Sequence, residues 1–118
     1  MTGYEPHAHA AELGVRIVSR PLRSANGLWV PDLGVVFVQP RLRRVHERSV
    51  LAHELAHVEL GHRTSTPKDE RQADLLAARR LIDPVRLDEV LHWTQELPEI
   101  ANELEVTERL VAEYLRRA

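Results

Sequence analysis

Between Ser49 and Leu60 the chain runs SVLAHELAHVEL, and this stretch constrains the fold more than any other. At ~100° per residue, His53 and His57 project from nearly the same side of a helix, about 40° apart, with Glu54 on the flank of that face. Leu51, Leu55 and Val58 fall on the opposite side as a core stripe, and the small Ala52 and Ala56 leave room near the histidines. The spacing therefore predicts a helix with an apolar back on the core and a chemical front.

The front has the pattern H-E-x-x-H, which places two imidazoles one turn apart with a carboxylate beside them and points to zinc hydrolysis. Five residues of this kind also occur on ordinary surface helices, so the rest of the chain has to supply a third protein ligand, leaving one position for water. The glycine and histidine that a metzincin needs three and six residues after the second histidine are here Leu60 and Arg63, which excludes that arrangement. His62 lies about 140° around the helix from His57 and reaches the site only if the chain turns sharply at Gly61. Glu70 opens Glu70-Arg71-Gln72-Ala73-Asp74, a second helical stretch with Glu70 and Asp74 on one face, and a carboxylate is an acceptable zinc ligand. Asp74, one turn later, is placed to accept the N–H of a ligating histidine and fix its tautomer. A first-turn acid favoured by the helix dipole and a solvated acid are the plainer readings of these two residues.

The segment HELAHVELGH from His53 to His62, followed by Glu70-Arg71-Gln72-Ala73-Asp74-Leu75-Leu76-Ala77-Ala78 and Leu81-Ile82-Asp83-Pro84, resembles the ImmA/IrrE-type metallopeptidases, a group of small gluzincin-like proteins. The resemblance runs from about Val36 to Pro84. It implies that His53, His57 and Glu70 bind zinc, that Glu54 is the catalytic base, and that Asp74 orients a histidine ligand. Asp83 is a departure, standing before Pro84 where the family runs from a hydrophobic pair directly into proline.

On this reading the protein is a zinc-dependent endopeptidase in which Glu54 takes a proton from water and passes it to the leaving amine. The resemblance further implies a protein or peptide substrate that is itself a regulator, such as a helix-turn-helix repressor of a phage or mobile element. A zinc-binding adaptor or transcriptional regulator without catalysis is the alternative. Val35, Val36, Phe37 and Val38 form the strand before the zinc helix, expected at the sheet edge, where an extended peptide could pair with it. The plainer reading is a strand whose side chains fill the core.

The α+β organisation follows from the order of elements. Glu5 to Leu13 reads as a short helix ended by Gly14, and Val15 to Ser19 alternates as a strand. Gly27–Val30 and Val35–Val38 are β-prone runs joined by a turn at Pro31-Asp32-Leu33-Gly34. We expect a three-stranded antiparallel sheet packed on the active-site helix pair of a small zincin-like domain, then C-terminal helices. Residues 1–84 would carry the sheet and zinc helices and 85–118 a helical extension of one domain. The third helix is expected from Pro84 to about Trp93, with Asp83 as its cap. His92 and Tyr114 are assigned no role in the site.

The chain of 118 residues has 43% hydrophobic content and no cysteine, which excludes disulfides and cysteine-ligated zinc. Its apolar runs are too short to span a bilayer and its N-terminus lacks a basic region and apolar core, so a cytoplasmic location is expected. The formal charge is −2, with arginines such as Arg16, Arg20, Arg23 and Arg48 in the first half and acids prevailing after residue 87. Arg41-Leu42-Arg43-Arg44 reads as a solvated approach to the zinc helix. The tail from Leu97 to Leu115 has helix-turn-helix spacing, but Glu105 occupies the turn where glycine is usual, and Glu108 and Glu113 would repel phosphate. Nucleic acid is thus an unlikely partner, and packing on the core or on another protein explains the apolar spacing better.

Overall fold

The computed structural model describes residues 3–117 and is α+β, with a small sheet followed by helices. Helix α1, Pro6–Leu13, is capped by the Glu5 carboxylate and stopped by Gly14. Strands β1 (Arg16–Ser19), β2 (Gly27–Val30) and β3 (Val35–Val38) come next, then α2 (Arg44–Leu60) and α3 (Pro67–Leu81). Helices α4 (Pro84–Leu91), α5 (Leu97–Leu104) and α6 (Glu108–Arg116) complete the fold. Arg41, Arg43 and Arg44 are exposed at the start of α2. No helix among the described residues is long and apolar enough to cross a membrane.

The sheet is mixed rather than antiparallel. The turn before Gly34 pairs β2 antiparallel with β3, while β1 runs parallel to β3 in the register Arg16 to Val35 through Ser19 to Val38. The strand order β1-β3-β2 puts β3 in the centre, which corrects the expectation of an edge position. The physical reason lies in the uninterrupted apolar run of β3: Val35, Val36 and Val38 are buried, and a strand of that composition gains most where its neighbours pair on both sides. The alternation in β1 shows that it is a strand but carries no information on its direction.

Helix α2 is the spine between two cores. Leu51 and Leu55 pack with Val36, Val38, Ala10 and Val15 beneath the sheet. Ala52 faces the other way, into a larger cluster with Ala77, Ala78, Leu81, Ile82, Ile100, Leu104, Leu110 and Val111 from the later helices. Ala52, Ala56, Ala73 and Ala77 are all fully buried. Small side chains let helix axes approach closely, and this is what brings the polar faces of α2 and α3 within ligand distance of each other.

The tail forms a helical hairpin that packs on α3, with Arg109 turned toward the site and Glu113 buried against Arg116. Its turn sits on Glu105, at φ 57 and ψ 43, a left-handed conformation that a side chain disfavours. Glu105→Gly is therefore expected to raise stability by about 0.5–1 kcal/mol in chemical denaturation, less whatever the freer unfolded chain gives back.

Candidate metal centre

His53, Glu54 and His57 come from α2, and Glu70 and Asp74 from α3. The Nε2 atoms of His53 and His57 are 3.1 Å apart, His53 Nε2 lies 3.2 Å from Glu70 Oε1, and His57 Nε2 lies 2.7 Å from Glu70 Oε2. One ligand atom from each of His53, His57 and Glu70 falls within 4.8 Å of the others. Ligands ~2.0–2.1 Å from a tetrahedral ion stand ~3.3–3.4 Å from each other, so the two separations involving His53 Nε2 come close to two edges of such a site, while the 2.7 Å between His57 and Glu70 is the length of a hydrogen bond and would have to open to admit an ion. The donor chemistry and the spacing both fit a metal ion.

The far side of His53 is equally ordered. Its Nδ1 faces Asp74 Oδ1 at 2.8 Å, and Asp74 Oδ2 accepts from Arg109 Nε at 3.0 Å. Asp74 thus stands behind His53, on the side of the ring away from Glu70. Arg109 was not foreseen: in the sequence it is one arginine in a tail weighed only for phosphate contacts, and no local spacing links it to Asp74.

Glu54 is buried, and its Oε1 accepts a hydrogen bond from the Trp29 backbone N–H at 3.1 Å. Strand β2 comes this close because residue 27 is glycine. A Cβ there would stand 2.6 Å from Val50 Cγ1 and 2.9 Å from Glu54 Cγ. We expect Gly27→Ala to cost about 1–3 kcal/mol in unfolding experiments and to lower any activity that depends on the position of Glu54.

The charges around the centre shift one another. Burial raises the Glu54 carboxyl above its ordinary range, and neighbouring Glu70 adds to this against the opposing pull of His53. Burial disfavours the charged form of His53, but Asp74 at Nδ1 and the charges of Glu54 and Glu70 outweigh it, so its pKa rises. Burial lowers His57, and the charge of His53 acts in the same direction. For Asp74 burial is outweighed by His53 and Arg109, which hold it below the usual carboxylate range. In the metal-free protein the depressed Asp74 contributes stability above its unfolded pKa of ~3.9, lost as pH falls through its lower folded value. The raised His53 contributes stability below ~6.5, lost as pH rises through its higher folded value. The pair therefore stabilises most between about pH 4 and 6.5, and Asp74→Asn should lower the stability of the metal-free protein in that window and flatten its fall on either side.

Two cavities meet at the centre, of about 380 Å³ and 190 Å³. Gly27, Glu54 and Glu70 line both. The larger extends past His46, Ser49, Thr107 and Arg109, and the smaller past Trp29, Pro31, His62 and Thr64. None of Val35, Val36, Phe37 and Val38 lines either one, and both edges of β3 are already paired. The assignment of that strand to substrate is thereby corrected: the free edge beside the centre belongs to β2. His62 stands outside the three-ligand set, although Gly61, at φ 69, does turn the chain back toward His57. His92, just past the end of α4, hydrogen-bonds the Asp88 carbonyl of that helix, and Tyr114 packs against the larger core.

No curated protein matches the chain at a significant level. Among solved structures it is similar to the metallopeptidase zymogen abylysin of Pyrococcus abyssi, at 18% identity and a TM-score of 0.45, over 77% of this chain and 92% of that one. The family model described as the IrrE N-terminal-like domain, Peptidase M78, matches residues 10–116, well beyond the Val36–Pro84 stretch that carries the motifs. By that match, across almost all of its length, the chain belongs to the IrrE N-terminal-like peptidase family.

Proposed function

We propose that the protein is a zinc-dependent endopeptidase that cuts a regulatory protein at a specific site. The observation that carries this reading is the convergence of His53 Nε2, His57 Nε2 and the Glu70 carboxylate beside a buried Glu54, where two cavities meet. Two imidazoles and a carboxylate suit zinc and leave a position for water or substrate. When bound there, the ion supplies Lewis acidity, lowering the pKa of water and polarising a carbonyl.

The residues of the chain do the rest. Glu54 takes the proton of the attacking water and delivers it to the departing amine, and the burial that raises its pKa makes it a stronger base for the first of these steps. The Trp29 N–H holds one carboxylate oxygen, which leaves the other for the water. Asp74 fixes His53. An extended substrate is proposed to pair along the free edge of β2, Gly27–Val30, as an added strand. The cavities on either side of Glu54 favour a chain that passes through the site over one that ends in it, hence an endopeptidase. The family resemblance favours a cytoplasmic helix-turn-helix repressor of a phage or mobile element as target.

The test is incubation of the purified protein with repressors encoded near its gene, with and without a chelator. Cleavage at one bond, abolished by the chelator, is expected. Binding without cleavage would favour a zinc-binding adaptor instead.

A further inference from the structure

We propose that His62, fixed in turn by Gln72, sets the tautomer of His57 and so its capacity to hold the metal; the inference rests on the metal-site reading above. His57 presents Nε2 to Glu70 and His53, while its Nδ1 lies 2.9 Å from His62 Nδ1. A ring nitrogen binds a metal through its lone pair, so the His57 proton has to sit on Nδ1. Two Nδ1 atoms facing each other can form a hydrogen bond only if one carries a proton and the other does not. The second nitrogen of His62 decides which.

His62 Nε2 lies 3.0 Å from Gln72 Oε1 and 3.5 Å from Asp69 Oδ1. Both are oxygens, so the His62 proton belongs on Nε2 and its Nδ1 lone pair faces His57. The donors then run outward in one direction, from His57 Nδ1–H to His62 and from His62 Nε2–H to Gln72. Turning the Gln72 amide over would reverse the chain and put the His57 proton on Nε2, where the ion has to go. Asp69 opposes that reversal, because an ionised carboxylate only accepts, and the other oxygen of this one accepts from Thr64 Oγ1 at 2.8 Å and from the Thr66 backbone N–H at 3.4 Å.

Local structure supports the arrangement. Gly61 takes the left-handed conformation, and the His62 N–H bonds back to the His57 carbonyl at 3.0 Å, which folds the ring against its neighbour. The His62 side chain is only 10% exposed, in keeping with a residue held in one orientation. The two ligating histidines are thus supported differently: a carboxylate backs His53 and a neutral imidazole backs His57. The site already holds Glu54, Glu70 and Asp74, and an imidazole adds support without adding another negative charge.

His62 is a positioning residue, and the test is zinc affinity measured by competition with a chromophoric chelator, together with imidazole nitrogen spectra of the metal-free protein. His62→Ala is expected to weaken zinc binding about 10–100-fold and to move His57 from the Nδ1–H toward the Nε2–H tautomer. Gln72→Met, at an exposed position, should shift both readings in the same direction by less, which keeps the test intact if His62→Ala fails to fold. Gln72→Glu, which can only accept, should hold the wild-type tautomer. Unchanged affinity or an unchanged His57 tautomer in His62→Ala overturns the inference. A wild-type protein that binds no zinc sinks the metal-site reading with it, whereas tight binding without hydrolysis sinks only the peptidase reading.

Discussion

Glu54→Gln is expected to lower peptide hydrolysis by about 10²–10⁴-fold while zinc binding stays close to that of the unaltered protein. The substitution keeps size and hydrogen-bonding capacity, so the side-chain oxygen can still accept from the Trp29 N–H. What it removes is the ability to take a proton. Glu54 is not among the three residues whose donor atoms converge, and the ligand set is left whole. The measurement is a rate on a cleaved substrate beside a zinc titration of the same preparation. Turnover that survives in Glu54→Gln would show that another group, or none, serves as base. Loss of both zinc and turnover would place Glu54 in the ligand set instead.

Saturating zinc is expected to stabilise the protein substantially, and Glu70→Ala to abolish that effect. At a thousandfold excess over the dissociation constant, mass action contributes ~4 kcal/mol to the folded state, which for a domain of this size raises the melting temperature by roughly 10–20 °C. The shift arises because the three donors come from two helices. His53 and His57 lie on α2 and Glu70 on α3, so an ion bound to all three ties the helices together. Without Glu70 two ligands remain on one helix, and a two-coordinate histidine site gives little affinity and no tie between helices. The metal-free proteins should melt within a few degrees of each other, since Glu70 is only partly buried and its loss relieves Glu54 while it takes a partner from His53 and His57. An equal zinc shift in Glu70→Ala would remove this residue from the ligand set.

The centre was legible because its parts are spaced by helix geometry. His53 and His57 are four residues apart, as are Glu70 and Asp74, and each pair falls on one face of one helix whatever the rest of the chain does. The apolar stripe Leu51–Leu55 and the alanines of α2 and α3 were equally plain, and they pack as their spacing requires. Helix boundaries follow from glycine at 14 and 61 and from Asp83 with Pro84, whereas the structure selects Thr66 as the cap of α3 from a polar turn that offers several.

Contacts that join residues far apart in the chain were not legible. Alternation in β1 and the apolar run of β3 mark strands, but the order β1-β3-β2 depends on a crossover through residues 20–26 that carries no directional signal. Strand composition therefore does not show that the edge is β2 and the centre β3. Arg109 meets Asp74 across 35 positions because the tail hairpin folds over α3. His62 lies about 140° from His57 on a continued helix and near it only if the chain turns at Gly61; the turn forms and brings the two rings together.

The sequence by itself determined which side chains share a helix face, His53 with His57 and Glu70 with Asp74, and the helices that carry them, because side chains three or four residues apart on a helix are neighbours by local geometry alone. Tertiary structure decided which strand edge borders the cleft, which arginine holds Asp74, and what stands behind His57. Those depend on packing between elements, where the same residue pattern is compatible with several arrangements and only the burial of the whole core selects one.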